Sequence, residues 1–270
     1  MPLPKFIDAH PAFNAGGYYA TNESPKAHLQ LLGDRRYQHG LSICSGGEVP
    51  LFVLGPRCDN LIAVDHGYVA LTATFLKAVV LDKMGLKGLK GLLLEGTVKA
   101  AEDVFKDAAA EIPEVCRASL VPANGYPMFN MSLLTSRGGD AGRWIKEVPD
   151  DLEAVLPQVL GRLTLVHGDL QDVAAEGPFD ILYGSNTHEH SGRGGSWSKV
   201  AAGASPRLGL KSYTELVKPG GHLLATGTFT YAPNALRDHT SNWKQLVTTH
   251  AGNWHHHLLE RLPPVAEVAA

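Results

Sequence analysis

Five short apolar runs, most of them separated by helix-like segments, constrain the fold of this 270-residue chain more than any other feature. They are LSIC (41–44), LIAVD (61–65), LTLVHGDL (163–170), FDILYGSN (179–186) and GGHLLATGTF (220–229). Runs of this length are typical of buried strands. Strands that alternate with helices form a parallel sheet, because each parallel connection needs a long crossover. The sequence therefore predicts an α/β fold with a mostly parallel sheet and helices on both faces.

The helical segments divide the chain into regions. Apolar positions predict a helix from Tyr68 to Met84 that ends at Gly85, and a short helix is expected over 26–36. The stretch 86–160 is too long for a simple connection between the second and third strands, so it is predicted to be a helical insertion with a loop-rich middle. Residues 1–37 are predicted to form an N-terminal extension or lid, of which 1–25 is irregular, and 38–270 the main Rossmann-like domain.

Charge and composition limit the classes of molecule that this protein is expected to bind. The chain has 24 basic and 27 acidic residues, a formal charge of −3, which argues against a protein built to bind nucleic acid and favours a small-molecule substrate. No apolar run is long enough to span a membrane, and the start MPLPKFIDAH lacks the regions of a signal peptide. Three cysteines without CxxC spacing suggest neither disulfides nor a zinc site. A cytoplasmic protein is expected, and a homodimer stays open.

Each predicted strand ends in polar or glycine residues, and this coincidence locates the candidate site. In an open parallel sheet, ligands bind beyond the carboxyl ends of the strands. Glycines after the first strand let the backbone approach a ligand closely. Asp65 follows Gly46 by 19 residues, a spacing typical of an acid that binds ribose hydroxyls. Each residue alone is more often a helix cap or a solvated strand end, and SGGEVP does not supply the G-x-G-x-x-G of dinucleotide binding. The strand ends are Ser45-Gly46-Gly47, Asp65, Asp169, Ser185-Asn186 and Thr226.

With these motifs in place, the chain resembles the class I S-adenosylmethionine (SAM) dependent methyltransferases over roughly 38–85 and 160–230. VKPGGHLL (217–224) is similar to the family's L-x-P-G-G turn. The resemblance implies the Rossmann-like fold of that family and SAM as cofactor. The first motif departs from the family, because Ser42 stands where an acidic residue is common, and Glu48 is the candidate substitute. The resemblance implies cofactor contacts at Ser45, Gly46, Gly47, Glu48, Asp65, His66, Gly168, Asp169, Ser185 and Asn186, with Asp65 at the ribose and Asp169 at the adenine amine.

A finer resemblance concerns the bond of SAM that breaks. The layout is similar to that of the aminocarboxypropyl transferases of betaine-lipid synthesis, with Leu76-Lys77 and the YGSN of Tyr183–Asn186 as matching positions, although His66-Gly67 replaces their Asn-Pro. It implies attack on the aminocarboxypropyl arm and release of methylthioadenosine, by transfer to a small acceptor or by cyclisation to azetidine-2-carboxylate. A small-molecule methyltransferase that releases S-adenosylhomocysteine is the alternative, and a catalytically silent SAM-binding partner protein is the third hypothesis.

Residues of the loops supply the candidates for chemistry. A tyrosine face can attract the sulfonium by cation–π interaction, and the segment Phe13–Tyr19 is the candidate lid. His188 or Glu189 is suited to remove a proton from an acceptor, although a merely polar loop explains them equally well. WHHHLLERL is interpreted as an edge strand or an amphipathic helix rather than a metal site, and no metal is expected. The candidate catalytic residues are Asn186, His188, Glu189, Tyr183 and Tyr126, and Tyr18 and Tyr19 are the further candidates for contact with the cofactor.

Overall fold

A computed structural model describes residues 2–9, 23–94, 98–118, 144–185, 210–228, 243–251 and 254–263. The strands are β1 (Lys5–Asp8), β2 (Tyr37–Ile43), β3 (Cys58–Asp65), β4 (Leu163–His167), β5 (Phe179–Ser185), β6 (Val217–Thr228), β7 (Trp243–Ala251) and β8 (Trp254–Arg261). The α-helices are α1 (Pro25–Leu32), α2 (Tyr68–Leu94), α3 (Val98–Ala109), α4 (Glu114–Ala118), α5 (Leu156–Arg162) and α6 (Leu210–Leu216). A π-helical turn covers Val49–Leu54, and short 3-10 turns cover Gly55–Arg57, Asp150–Ala154 and Leu170–Glu176.

The sheet has the order β1-β4-β3-β2-β5-β6-β8-β7. Pairing is parallel between β1 and β4, β3 and β4, and β5 and β6, whereas β8 runs antiparallel to both β6 and β7. In sequence the chain moves outward from β2 through β3 to β4 and returns to β5, which is the strand order of a doubly wound α/β fold. The predicted α/β fold with a mostly parallel sheet is confirmed.

The chain divides into two compact units, and the first comprises residues 1–26 and 42–172. Its strands β1, β4 and β3 pair in parallel, and the Cys44 N–H donates to the Val64 carbonyl oxygen (2.9 Å), which joins the end of β2 to β3. Helix α2 buries Leu71 and Val79, and Phe75 packs edge-on against Phe6 of β1, with ring centroids 5.8 Å apart. Apolar burial of this kind is the main stabilising term of such a unit.

The sequence predicted that this helix ends at Gly85, but the structure shows only a break in α2 at that residue. Its φ of 69° is left-handed, a conformation that favours glycine, and the helix resumes beyond it to Leu94. Helices α3, α4 and α5 follow before β4, so the predicted helical insertion between the second and third of the five predicted strands is confirmed for the described residues.

The second unit comprises residues 27–41 and 173–270. Parallel pairing of β5 with β6 continues into the antiparallel pairs β6–β8 and β8–β7. Asp180 of β5 accepts hydrogen bonds from the Gln38 and His39 N–H groups (2.9 and 2.8 Å), which fastens the start of β2 to β5. The Trp243 indole N–H donates to Thr214 Oγ1 of α6 (3.1 Å), so the edge strand β7 is held to a helix as well.

Two local predictions were wrong. Residues 1–25 were expected to be irregular, but Lys5–Asp8 forms β1, which pairs with β4 along its whole length. WHHHLLERL forms a strand, but not an edge strand, because β8 lies between β6 and β7. Both errors share a cause, since a strand of four residues or one with three adjacent histidines carries little periodic signal. None of the described helices is long and apolar enough to cross a bilayer.

Candidate functional site

The turn after β2 has a backbone that only a glycine-rich sequence adopts readily. Ser45, Gly46 and Gly47 have φ values of 45°, 84° and 105°, all in the left-handed region. Such a conformation is uncommon for a residue with a side chain, and strained residues of this kind cluster at functional sites. A Cβ atom on Gly47 would lie 2.7 Å from Thr74 Oγ1, so the turn also packs closely against α2. Packing against α2 therefore requires glycine at Gly47, and the approach of a ligand to this backbone stays a prediction.

Asp65, at the end of β3, is tied to this turn. Its Oδ1 accepts a hydrogen bond from the Gly67 N–H (2.9 Å), and its Oδ2 accepts a long one from the Ser45 N–H (3.4 Å). The side chain is buried, and burial raises the pKa of Asp65, while His66 and the two N–H donors act in the opposite direction. Since a carboxylate has about four lone-pair positions, these two bonds leave capacity for a ligand.

A buried ion pair supports the turn from the side of α2. Lys77 Nζ pairs with Glu48 and donates a hydrogen bond to the Gly46 carbonyl oxygen (2.7 Å). Both side chains are buried, at 0% and 1% exposure. Glu48, predicted to substitute for the acid of the first motif, is thus paired with the Lys77 ammonium of the same chain. Ser42 is buried, and its hydroxyl donates to the Ile43 carbonyl oxygen (2.8 Å).

The other predicted contacts of this unit lie at the ends of β3 and β4. His66 is exposed, and its charged form is one of the influences that lower the pKa of Asp65. The Gly168 N–H donates to the Asp65 carbonyl oxygen (3.0 Å), which joins the two strand ends. Asp169 is half-buried, and its own N–H donates to Asp172 Oδ2 (2.6 Å). The structure therefore brings Ser45–Glu48, Asp65, His66, Gly168 and Asp169 to the strand ends of one compact unit.

Sequence reasoning missed the polar side chains on β1 and β4. The register pairs His167 with Asp8 on one side and with Asp65 on the other, so these three residues form a row across three strands. Their pairing was not predicted, because β1 itself was not. The only available signal was an ionisable residue at the end of each short apolar run.

The second unit contains a buried histidine pair on α1 and β8. His256 Nδ1 lies 2.9 Å from His28 Nε2, and Thr226 Oγ1 lies 3.5 Å from the same nitrogen. Thr226 and His256 face each other across β6 and β8. Burial, and then the neighbouring His256, hold the pKa of His28 well below its usual range. Because a 2.9 Å contact between two imidazoles needs one donor and one acceptor, this pair is stable when at least one ring is neutral.

The predicted catalytic Tyr183 lies beside this pair. It is fully buried, and its ring meets His28 edge-on with centroids 5.4 Å apart. Ser185 is the last residue of β5. The roles assigned to Tyr183 and Ser185 stay predictions. Tyr18, Tyr19, Tyr126, Asn186, His188, Glu189 and the lid segment Phe13–Tyr19 lie outside the described residues.

The three adjacent histidines of β8 point to two faces, as strand geometry requires. The rings of His255 and His257 lie parallel, with centroids 6.2 Å apart and planes 7° apart, whereas His256 contacts His28. His257 Nδ1 lies 3.0 Å from Thr248 Oγ1 of the neighbouring β7. The triplet is therefore not a single cluster of ligands.

Comparison with known proteins gives matches in solved structures alone: no family model and no curated protein matches the chain. The chain is similar to N-methyltransferase NodS from Bradyrhizobium japonicum WM9 in complex with S-adenosyl-L-homocysteine, at 11% identity and TM-score 0.44, over 88% of this chain and 89% of that one. It is similar to the ribosomal protein L11 methylase from Lactobacillus delbrueckii subsp. bulgaricus, at 9% identity and TM-score 0.42, over 88% and 77%. The rRNA methyltransferase aviRa from Streptomyces viridochromogenes matches at 15% identity and TM-score 0.38, over 87% and 80%. At these identities and scores, no function follows from the matches.

Proposed function

We propose that this chain is a SAM-dependent enzyme that transfers a group from the sulfonium to a small acceptor. The observation that carries the proposal is the hydrogen bond between Asp65 and the left-handed turn Ser45–Gly47. A carboxylate suited to ribose hydroxyls and a backbone suited to close approach by a ligand adjoin each other at the strand ends. An adenosyl sulfonium compound has a ribose near its amino-acid arm and matches both features.

The described residues fit the separate parts of SAM. The left-handed turn at Gly46 and Gly47 would receive the amino-acid end, because neither residue carries a side chain of its own. Asp65 would accept hydrogen bonds from the ribose, and Asp169 would lie near the adenine amine. Bound SAM supplies a positively charged sulfur that is a good leaving group. What the protein must add is alignment of an acceptor and exclusion of water.

Methyl transfer is the reaction that we propose first. Of the three carbons bonded to the sulfonium, the methyl carbon is the least hindered to attack from behind. A site that does no more than align an acceptor and exclude water therefore favours methyl transfer. The acceptor would be a small molecule, since the formal charge of −3 offers no general attraction for nucleic acid phosphates.

Transfer of the aminocarboxypropyl arm, or its cyclisation, is the second candidate, and one contact favours it. Lys77, which matches the Lys of the aminocarboxypropyl transferases, donates to the Gly46 carbonyl oxygen from within the core. It would fix the part of the turn that receives the amino-acid arm, and rigid placement of that arm is what attack on its γ-carbon needs. A cytoplasmic location and a homodimer stay predictions.

Product analysis tests the proposal. Purified protein would be incubated with SAM, alone and with a panel of small amines, phenols and carboxylates, and the nucleoside products identified by mass spectrometry. S-adenosylhomocysteine that depends on an acceptor would support methyl transfer, and methylthioadenosine would support attack on the arm. The variant Asp65→Ala is the matched control and should form much less of either product at the same SAM concentration. SAM left unchanged in every mixture would favour the silent binding protein over an enzyme.

A further inference from the structure

His167 occupies a position in the candidate site to which no role has been assigned. It is the last residue of β4, it is fully buried, and it lies between Asp8 of β1 and Asp65 of β3 in the row of paired strand ends. Paired residues of neighbouring strands direct their side chains to the same face of a sheet. The imidazole therefore shares a face with the carboxylate proposed to bind ribose.

Two neighbours fix the orientation of the His167 ring. Its Nδ1 lies 2.7 Å from Asp8 Oδ1, and the Tyr68 ring stacks on it with centroids 3.8 Å apart and planes 24° apart. The Tyr68 hydroxyl donates to the other oxygen of Asp8 (3.0 Å), so the carboxylate is oriented as well. An ionised carboxylate only accepts hydrogen bonds, and so Nδ1 carries the proton. In the neutral ring, Nε2 then presents a lone pair.

That lone pair has no hydrogen-bond partner among the residues that the structure describes. The Nε2 atom is buried, and a buried polar atom without a partner is costly. An oriented acceptor next to Asp65 is what a second hydroxyl of a bound ribose requires.

We propose that His167 Nε2 accepts a hydrogen bond from a ribose hydroxyl of the bound adenosyl cofactor, with Asp8 and Tyr68 as positioning residues that hold the ring. This inference rests on the proposed function. Asp65 and His167 would then each accept a hydrogen bond from one of the two ribose hydroxyls. A nucleoside that lacks one hydroxyl loses a partner and leaves Nε2 unsatisfied.

Calorimetric titration with S-adenosylhomocysteine and its 2′-deoxy and 3′-deoxy analogues tests the inference. His167→Asn keeps a polar group near the position of Nδ1 for Asp8 and removes Nε2. We expect this variant to bind S-adenosylhomocysteine about tenfold more weakly, and one deoxy analogue to lose about tenfold in the wild type but nothing further in the variant. His222→Gln, in the other unit, should bind as the wild type does.

The outcomes separate the two proposals. If the wild type does not bind S-adenosylhomocysteine, the proposed function and this inference both fail. If the wild type binds S-adenosylhomocysteine, either of two results overturns the inference alone. In the first, His167→Asn binds S-adenosylhomocysteine as tightly as the wild type does. In the second, each deoxy analogue loses the same factor of affinity, relative to S-adenosylhomocysteine, in His167→Asn as in the wild type.

A second measurement serves if the variant does not fold. Long-range ¹H–¹⁵N correlation spectra of the wild type report which nitrogen of His167 is protonated. Addition of S-adenosylhomocysteine should shift the Nε2 resonance toward that of a hydrogen-bonded acceptor and leave Nδ1 protonated. An Nε2 resonance that does not move at saturation contradicts the inference.

Discussion

The turn region of the first unit and the histidine pair of the second both gather polar groups in the core of a sheet, but they stabilise them differently. In the turn region, formed by Ser45–Glu48, Asp65 and Lys77, charges meet opposite charges or backbone N–H groups. In the pair of His28 and His256, two imidazoles meet each other. The first arrangement depends on charge, and the second is disrupted when both rings are charged. The two regions should therefore respond in opposite ways to loss of charge and to acid.

The largest effect is expected when the charge balance of the turn region is broken. Lys77→Met leaves Glu48 buried without its cation, and such changes cost about 3–5 kcal/mol of unfolding free energy. Urea denaturation measures this loss. The matched control is Lys83→Met, which breaks the pair with Glu111 at the surface, where the two side chains are 41% and 40% exposed. That control should leave the midpoint nearly unchanged. Equal midpoints for the two variants would show that the buried pair is not important for stability.

A smaller loss is expected from a methyl group in the turn. Gly47→Ala puts a Cβ atom 2.7 Å from Thr74 Oγ1 at a φ of 105°, and overpacking together with left-handed strain costs about 2–4 kcal/mol. Gly91→Ala is the control, because no atom beyond its own stretch of helix backbone lies within 4 Å of the added Cβ and alanine favours helix. Thermal melts should show a lower Tm for the first variant and an equal or higher one for the second. A turn that tolerates alanine without a change in Tm would refute the close packing described here.

Acid should act mainly on the histidine pair. The pKa of His28 is lowered in the fold, so below pH 6.5 the unfolded chain binds a proton that the folded chain does not. Stability is therefore full above that pH and falls as the pH drops through it, by up to about 1.4 kcal/mol per pH unit. Urea unfolding at a series of pH values from 7.5 to 5 measures the slope, and His28→Gln should reduce it. The same slope in the variant would assign the acid sensitivity to another group.

A loss of similar size is expected at the break in α2. Gly85→Ala puts a side chain at a φ of 69° and a ψ of −177°, a conformation almost restricted to glycine, and against the flexible end of Glu153, which together cost about 1–3 kcal/mol. Urea denaturation should detect a modest decrease in midpoint, whereas ligand binding should not change, because Gly85 lies outside the turn region. A change in binding without a change in stability would mean that the break serves the site.

The two regions also differ in how far the sequence predicts them. The turn at Gly46, the acid at Asp65 and the break at Gly85 are local signals, because glycine conformation and strand spacing are set within a few tens of residues. Asp8 and His167 are 159 positions apart, and His28 and His256 are 228 apart. Only the pairing of strands and the packing of α1 bring them together. A short strand such as β1 has too little periodicity for its pairing to be predicted. The positions of the strand ends could therefore be predicted, but not which distant side chains lie beside them.

The central claim is that the glycine turn and Asp65 hold opposite parts of one adenosyl sulfonium molecule. Isothermal titration of the wild type and of Asp65→Asn with SAM and S-adenosylhomocysteine tests it most directly. We expect saturable binding of both ligands by the wild type and an affinity that is 10- to 150-fold weaker in the variant, the range that follows from about 1.5–3 kcal/mol for a charged hydrogen bond. No heat with either ligand, or equal affinities of the two proteins, would contradict the claim.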